Sequence, residues 1–391
     1  MGEADSPFPK GLHRYSAQHI MRPKSVAHQQ TLLGDWRQRH VLAQDELPAF
    51  YPYLQAFETY GERKPVQRIG FIAMVHLGET TVYPHEDVVE RNVASRLPYL
   101  AATQLQAIPT HGLYDDPERL LERLVEDHLG YPLAEVVDRF GTRHTLGRIT
   151  EKRLIQRVQD VMRERPIFQA DGHHRMEAHR RYRAQYLQTH PDTPPDHPIH
   201  YHLMYLSNFR GDDLRIRPFH RVVNIPAGTE VSRFWSLARQ YFILEPARNR
   251  QPVFEEMQQR PNQVGFVVEG RLFFATLRPE LNANAVIDLP LPAVVKSLSY
   301  TQLHYLVLDR ILGYPYQEQP RSPDIQYYNS LGRAVLEADK GSSKLAFLMP
   351  EVTPQQMMEV CLAGAVMPQK STFFFPKVQG GFLYAFLNRD E

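Results

Sequence analysis

The chain has 391 residues, room for one large domain or two ordinary ones, and its 42% hydrophobic and 23% charged residues match a soluble globular protein. A formal net charge of +1 argues against the broad basic field of a nucleic-acid or anionic-lipid binder, and a single cysteine, Cys361, excludes an intramolecular disulfide framework and a four-cysteine zinc site. The opening "MGEADSPFPKGLHRYS" has no apolar signal core and no apolar run nears bilayer-spanning length, so a cytoplasmic protein is expected.

In chain order, the first forty-odd residues are polar and read as outer helix and loop. "PAFYPYLQAF" and "RIGFIAMVHL" read as strands on either side of the turn-prone "GERKP". "DDPERLLERLVEDHL" has leucines at helical spacing with acids early, and "EKRLIQRVQDVMRE" is a second amphipathic helix ended by Pro166. "IFQA" is a short buried strand and "RMEAHRRYRAQYLQ" a third helix. "THPDTPPDHP" (189–198) breaks any regular element. It marks an expected boundary between an N-terminal part, 1–190, and a C-terminal part, 199–391, with one domain carrying a long loop as the alternative.

Beyond it, "IHYHLMYLSN" is a strand and "FRGDD" a turn. "LRIRPFHRVVNI" and the hairpin "QVGFVVEGRLFFATL", turning at Glu269-Gly270, read as antiparallel strands. "SYTQLHYLVLDRIL" and "TPQQMMEVCLAGAV" are helices, "SKLAFLMP" and "GGFLYAFLN" strands. Helices and strands mix without strict βαβ alternation, which predicts an α+β fold, mixed or antiparallel in the C-terminal part.

The densest chemistry lies in "FQADGHHRMEAHRR", residues 168–181, where a strand ending in Asp-Gly opens a helix. Amide N–H groups at a helix N-terminus, with the positive end of the macrodipole, suit an anion. Gly172 lets the backbone approach, His173, His174 and Arg175 add donors and charge, and Asp171 can orient a histidine or act on a proton. The alternative is that Asp171 N-caps the helix and the basic residues form a solvated face.

"ADGHHR" and the helix after it resemble the signature of a bacterial and archaeal family catalogued as domain of unknown function 1015. Five further stretches follow in that family's order: "PAFYPY", "GFIA" with "PHEDV", "LRIRPFHRVV", "SYTQLHYLVLDRILG" and "MPQKSTFFFPK". The N-terminus departs, because the usual Pro-Phe-Arg opening and Pro-Pro-Tyr-Asp-Val segment are not evident. The Asp-Gly-His-His-Arg motif is similar in turn to that of the ParB/sulfiredoxin superfamily, which includes partition proteins, sulfiredoxin and a kinase of free serine. The resemblance implies a ParB/sulfiredoxin-like N-terminal part. It also implies phosphate or nucleotide contacts from Gly172, His173, His174 and Arg175, with Asp171 as a polar or catalytic group.

Other segments offer partners for that chemistry. "VYPHEDVVERN" places His85, Glu86 and Asp87 after a strand. Glu86 suits the base of a phosphoryl transfer, or else these acids simply sit at a helix start. His220 and Arg221 in "HRVV" suit an anionic substrate or a structural polar pair. Lys370, Ser371 and Thr372 imitate the end of a Walker loop, but the cradling glycines are absent, so this is not a P-loop. His174 and His179 are poorly spaced for joint ligation, and no protein-bound metal is expected. Magnesium carried in with a nucleotide or phosphorylated substrate fits better than a tightly bound cofactor.

The expected function is phosphate-handling chemistry, kinase or phosphatase, on a small hydroxy compound, with serine or phosphoserine the leading candidate. The expected catalytic residues are Asp171, His174 and Glu86, and the phosphate-binding residues Gly172, His173, Arg175, Lys370, His220 and Arg221. The expectation includes one cleft shared by Glu86, the 171–175 turn and His220 or Lys370. The alternative is a nucleotide- or nucleic-acid-binding ParB-like module without catalysis. Against it, a Pro-rich loop and a strand follow the motif where partition proteins carry a helix-turn-helix.

Overall fold

The computed structural model describes residues 31–388, apart from 32, 37, 60–61, 248–255, 258–259, 261 and 342–343. Most of the polar N-terminal segment, 1–30, lies outside the described residues. The chain forms two compact units: the first takes in residues up to Pro84, Val88–Leu214 and Pro376 onward, the second His85–Asp87 and Arg215–Phe375. The proline-rich stretch 189–198 lies within the first unit.

The first unit contains β1 (Tyr51–Phe57), β2 (Val66–His76), β3 (Val82–Pro84), α1 (Glu90–Ala94), α2 (Leu97–Thr103), β4 (Leu105–Gln106) and β5 (Thr110–Tyr114). Then come α3 (Leu120–Glu126), β6 (Ala134–Val137), β7 (Arg143–Leu146), α4 (Lys152–Met162), β8 (Ile167–Asp171), α5 (His173–Thr189) and β9 (Tyr201–Asn208). Eight strands make one mixed sheet in the order β3-β8-β5-β9-β2-β1-β7-β6, with β3/β8 and β5/β9 parallel.

β2 reads as almost continuously apolar because both of its faces are buried. Phe71, Ala73 and Val75 join a core with Leu121, Val125, Val158 and Met176 from α3, α4 and α5. Ile72, on the other face, packs with Tyr53, Leu146, Leu203, Tyr205 and Ala385. At Gly70 a Cβ would lie 2.1 Å from the Leu206 carbonyl oxygen, so only glycine lets β9 pair this closely.

The returning C-terminal segment is fixed to this sheet by polar contacts. Arg68, fully buried on β2, donates from Nη2 to the Pro376 carbonyl at 2.6 Å and from Nε to Gln55 Oε1 at 3.1 Å. Gln55 Nε2 on β1 donates to the Lys377 carbonyl at 2.9 Å, and the Gln379 N–H donates to Tyr53 Oη at 3.0 Å. The "GGFLYAFLN" segment contributes only the two residues Ala385–Phe386, paired with β4.

The helix expected over 115–129 is shorter, confined to α3. Arg119 adopts a left-handed φ of 54°, and the Asp116 carboxylate accepts from the Leu121 N–H at 3.1 Å, which starts the helix late.

The second unit contains β10 (Arg215–Arg217), β11 (His220–Asn224), α6 (Val231–Tyr241), β12 (Phe242–Pro246), β13 (Val264–Val268), β14 (Arg271–Leu277), β15 (Ile325–Tyr328), α7 (Leu331–Ala338), β16 (Lys344–Leu348), α8 (Pro354–Leu362) and β17 (Phe373–Phe375). Its six-stranded sheet, β12-β14-β13-β16-β11-β15, is antiparallel throughout. Ala334 and Ala338 of α7 pack with Val222, Val267, Phe274 and Leu348, while Phe234 of α6 meets Phe266 and Phe347. The β13–β14 hairpin turns at Glu269-Gly270, both with positive φ, as a two-residue turn requires. The expected helix 299–312 starts as α-helix, Ser299–Gln302, and continues as π-helix over Leu303–Asp309.

Replacing Arg68 with methionine leaves the Gln55 and Pro376 oxygens short of donors in the interior. The expected loss is about 2–4 kcal/mol, from two buried acceptors, read as a lower urea midpoint for the first unit.

Candidate functional site

β8 runs buried from Ile167 and ends at Asp171, Gly172 takes φ 90° and ψ 25°, and α5 begins at His173. A side chain at 172 would place its Cβ 2.5 Å from Thr110 Cγ2, so the turn requires glycine on both conformational and steric grounds. Gly172 is the N-cap and no side chain caps the helix. The capping role considered for Asp171 is therefore not what its carboxylate does.

That carboxylate holds two cations. Arg175 Nη2 donates to Asp171 Oδ2 at 3.1 Å and Lys377 Nζ to Oδ1 at 2.5 Å, with the three side chains 22–42% exposed. Burial pushes the Asp171 pKa up, but Lys377 and Arg175 outweigh it and hold the acid well below the usual carboxylate range. Asp171 is thus ionised at neutral pH and a weak base.

The other residues of the turn are anchored. Arg175 Nη1 donates to the Ile108 and Pro109 carbonyls at 2.8 and 2.9 Å. His174 Nε2 accepts from the Val89 N–H at 2.9 Å, which fixes a neutral ring with its proton on Nδ1 and supports the start of α1. His173 is buried.

In the second unit, the chain around Glu86 is strapped to the segment before β17. His85 Nε2 pairs with Thr372 Oγ1 at 2.7 Å, and the His85 carbonyl accepts from the Met367 N–H at 2.9 Å. Glu86 Oε1 accepts from the Lys370 N–H at 3.2 Å. Lys370 has φ 58°, a left-handed backbone that costs a lysine energy, and its ammonium lies 5.4 Å from the Phe219 ring centroid. Burial first, and then Glu86, push the Asp87 pKa up.

Arg221 is fully buried, over the rings of Tyr300 and Tyr327 at 4.8 and 5.3 Å. It donates to His304 Nε2 at 3.1 Å, to the Gln369 carbonyl at 3.2 Å and to the Phe219 carbonyl. It thereby holds the backbone just before Lys370. His220 Nδ1 accepts from the Met349 N–H at 3.1 Å, and burial with the adjacent Arg221 pushes its pKa down to about 3.

The structure thus joins Asp171, Gly172, His173, His174 and Arg175 in one turn, and Glu86 with Lys370 in one strap. His220 and Arg221 lie in the interior of their unit. Lys377 is the residue that sequence reasoning passed over. It lies inside the quoted "MPQKSTFFFPK", but no local pattern links it to a carboxylate 206 positions away. Among the described residues no group of three His, Cys, Asp or Glu is placed to hold a metal ion, and no helix is long and apolar enough to cross a membrane.

Comparison with solved structures finds distant similarity. A conserved hypothetical protein from Pyrococcus furiosus shares 12% identity at a TM-score of 0.38, over 79% of this chain and 93% of that one. A free serine kinase in complex with AMP shares 12% identity at 0.40, over 82% and 97%. SbnI with a C-terminal truncation, from Staphylococcus aureus, shares 8% identity at 0.38, over 79% and 85%. No curated protein matches the chain. The family model described as "Protein of unknown function (DUF1015)" matches residues 11–301, most of the length, and the chain belongs to that family.

Proposed function

We propose that the protein is a phosphotransferase that exchanges a phosphoryl group between a nucleotide and a small hydroxy compound, serine or phosphoserine being the first to test. The observation that carries the reading is the meeting of Arg175 and Lys377 on Asp171 at the head of the 17-residue α5. Two cations and a helix N-terminus at one half-exposed point form an electropositive seat for phosphate oxygens. Catalysis of phosphoryl transfer consists largely of such positioned positive charge. The ParB/sulfiredoxin-like description of the first unit belongs to this proposal, supported by Asp-Gly-His-His-Arg at a strand-to-helix turn.

Within it, Asp171 is a positioning residue: its depressed pKa makes it a poor proton acceptor and a good anchor for Lys377. Gly172 and His173 bring the backbone of the turn to the phosphate, while His174 fixes the turn's orientation through Val89. Glu86 is the proposed proton acceptor for the substrate hydroxyl. Lys370 is a proposed counter-charge, its backbone set by Arg221 through Gln369, with His220 supporting the same interior. Magnesium would enter with the polyphosphate and supply further charge neutralisation.

The direct test incubates the protein with ATP or ADP and L-serine, or with phosphoserine and a nucleotide, and follows phosphorus by NMR. Phosphoryl exchange supports the proposal. Nucleotide binding without turnover across a panel of hydroxy compounds favours a non-catalytic nucleotide-binding module, and no binding of any phosphate compound by calorimetry ends both readings. Lys377→Met should weaken nucleotide binding by about 1–3 kcal/mol, the scale of a charge-assisted hydrogen bond. Glu86→Gln should instead lower kcat by about 10²–10⁴ with nucleotide affinity retained, as expected for loss of a general base.

The Asp171 pair also has a pH signature. A carboxylate whose folded pKa lies below its unfolded value of about 3.9 stabilises the fold above that pH and loses the contribution as pH falls through the folded value. Asp171→Asn should therefore lower stability at pH 7 by about 1 kcal/mol, the scale of a half-exposed pair. Melting curves should show the gap to wild type closing as the pH drops below about 4.

A further inference from the structure

Behind the turn, still within the first unit, a cavity of about 50 Å³ opens between α2, the stretch from β4 to Ile108, and α5. Its walls are mostly apolar, with Leu100, Ile108 and Ala178 among them, and two arginines, Arg96 and Arg175, reach its lining. Arg96 is the residue before α2, and its guanidinium lies close enough to Arg175 to disfavour the charge there. Asp171 already balances Arg175, whereas Arg96 donates to the Asn92 carbonyl and has no carboxylate partner among the described residues. Like charges gathered beside apolar walls attract an anion.

A second observation on the same cavity points the same way. Arg96 Nε is buried and finds no hydrogen-bond partner among the described residues, whereas the Tyr99 hydroxyl has only a weak contact with the Thr103 side chain and His179 only one with the Ile199 backbone beyond its His202 contact. His179 is 1% exposed, and its Nδ1 is occupied with His202 Nδ1 at 3.0 Å. Buried polar atoms in folded proteins are nearly always partnered, so an unpartnered guanidinium nitrogen beside two weakly held groups leaves this lining positioned for a further acceptor.

We propose that this cavity binds a small organic oxyanion, a carboxylate or phosphate monoester of about four to six heavy atoms. Its charged head would lie on Arg96 and Tyr99 and its apolar body against Leu100, Ile108 and Ala178. A water needs roughly 10–15 Å³ of this kind of volume, which sets the size. The site does not depend on the phosphotransferase reading, because a carboxylate carries no phosphate.

The test is an NMR-detected titration of the whole protein with isobutyrate, methyl phosphate and the neutral isobutyramide. The site predicts that at least one anion binds tenfold or more tightly than the amide, and the tighter of the two identifies the head group. Arg96→Met should reduce anion affinity at least tenfold. Tyr99→Phe should reduce it severalfold while binding of the neutral isobutyramide stays unchanged, because a donor to the anion is removed. Equal binding of amide and anions, or unchanged anion binding by a folded Arg96→Met or Tyr99→Phe protein, overturns the proposal. ADP titrated in parallel tells failure of this cavity from failure of the nucleotide site.

Discussion

The Arg68–Gln55 bracket is the constraint from which the first unit's charged site follows. A guanidinium on β2 and an amide on β1 hold the carbonyls of Pro376 and Lys377 in the interior, where any lost hydrogen bond is costly. Once that backbone is fixed, the Lys377 side chain needs no further device to reach Asp171. The buried arginine is engaged through Nε and Nη2, and that engagement places a second cation near the surface of the same unit.

The charged groups at Asp171 and around Arg221 are built on opposite principles. At Asp171 the charges are partly exposed and balanced in part, one carboxylate between two cations, so a visiting anion competes with an internal one. Around Arg221 the cation is sealed from solvent and satisfied by carbonyls, an imidazole and aromatic faces. From the interior such a residue dictates backbone. Its hold on Gln369, with the Glu86 contact to the next N–H, maintains Lys370 in a left-handed conformation that lysine would not adopt unaided.

Much of this was legible in local sequence. The Asp-Gly join was readable because strand period, glycine and helix period meet there, and β8 and α5 fall where they were expected. The Glu269-Gly270 hairpin and the continuous apolar run of β2 were legible for similar reasons. What escaped depends on distant partners. The shortening of α3 turns on the buried Asp116 carboxylate, the π-helix over Leu303–Asp309 obeys no local propensity, and Lys377 acquires meaning only beside Asp171. At His220 and Arg221 the charge was legible but the burial was not.

The order of the chain adds a consequence in time. Residues 376–388 belong to the same compact unit as β1 and β2, while 215–375, with 85–87, form the other. During synthesis from the N-terminus, the sheet of the first unit emerges long before the segment that satisfies Arg68. Until then a buried guanidinium, an apolar face around Tyr53 and Ile72, and Asp171 all wait for residues still inside the ribosome. Contacts separated by some three hundred residues close last and slowly. Completion of the charged turn therefore reports that synthesis has passed Lys377, and a nascent or truncated product that stops short of it carries Asp171 without its lysine.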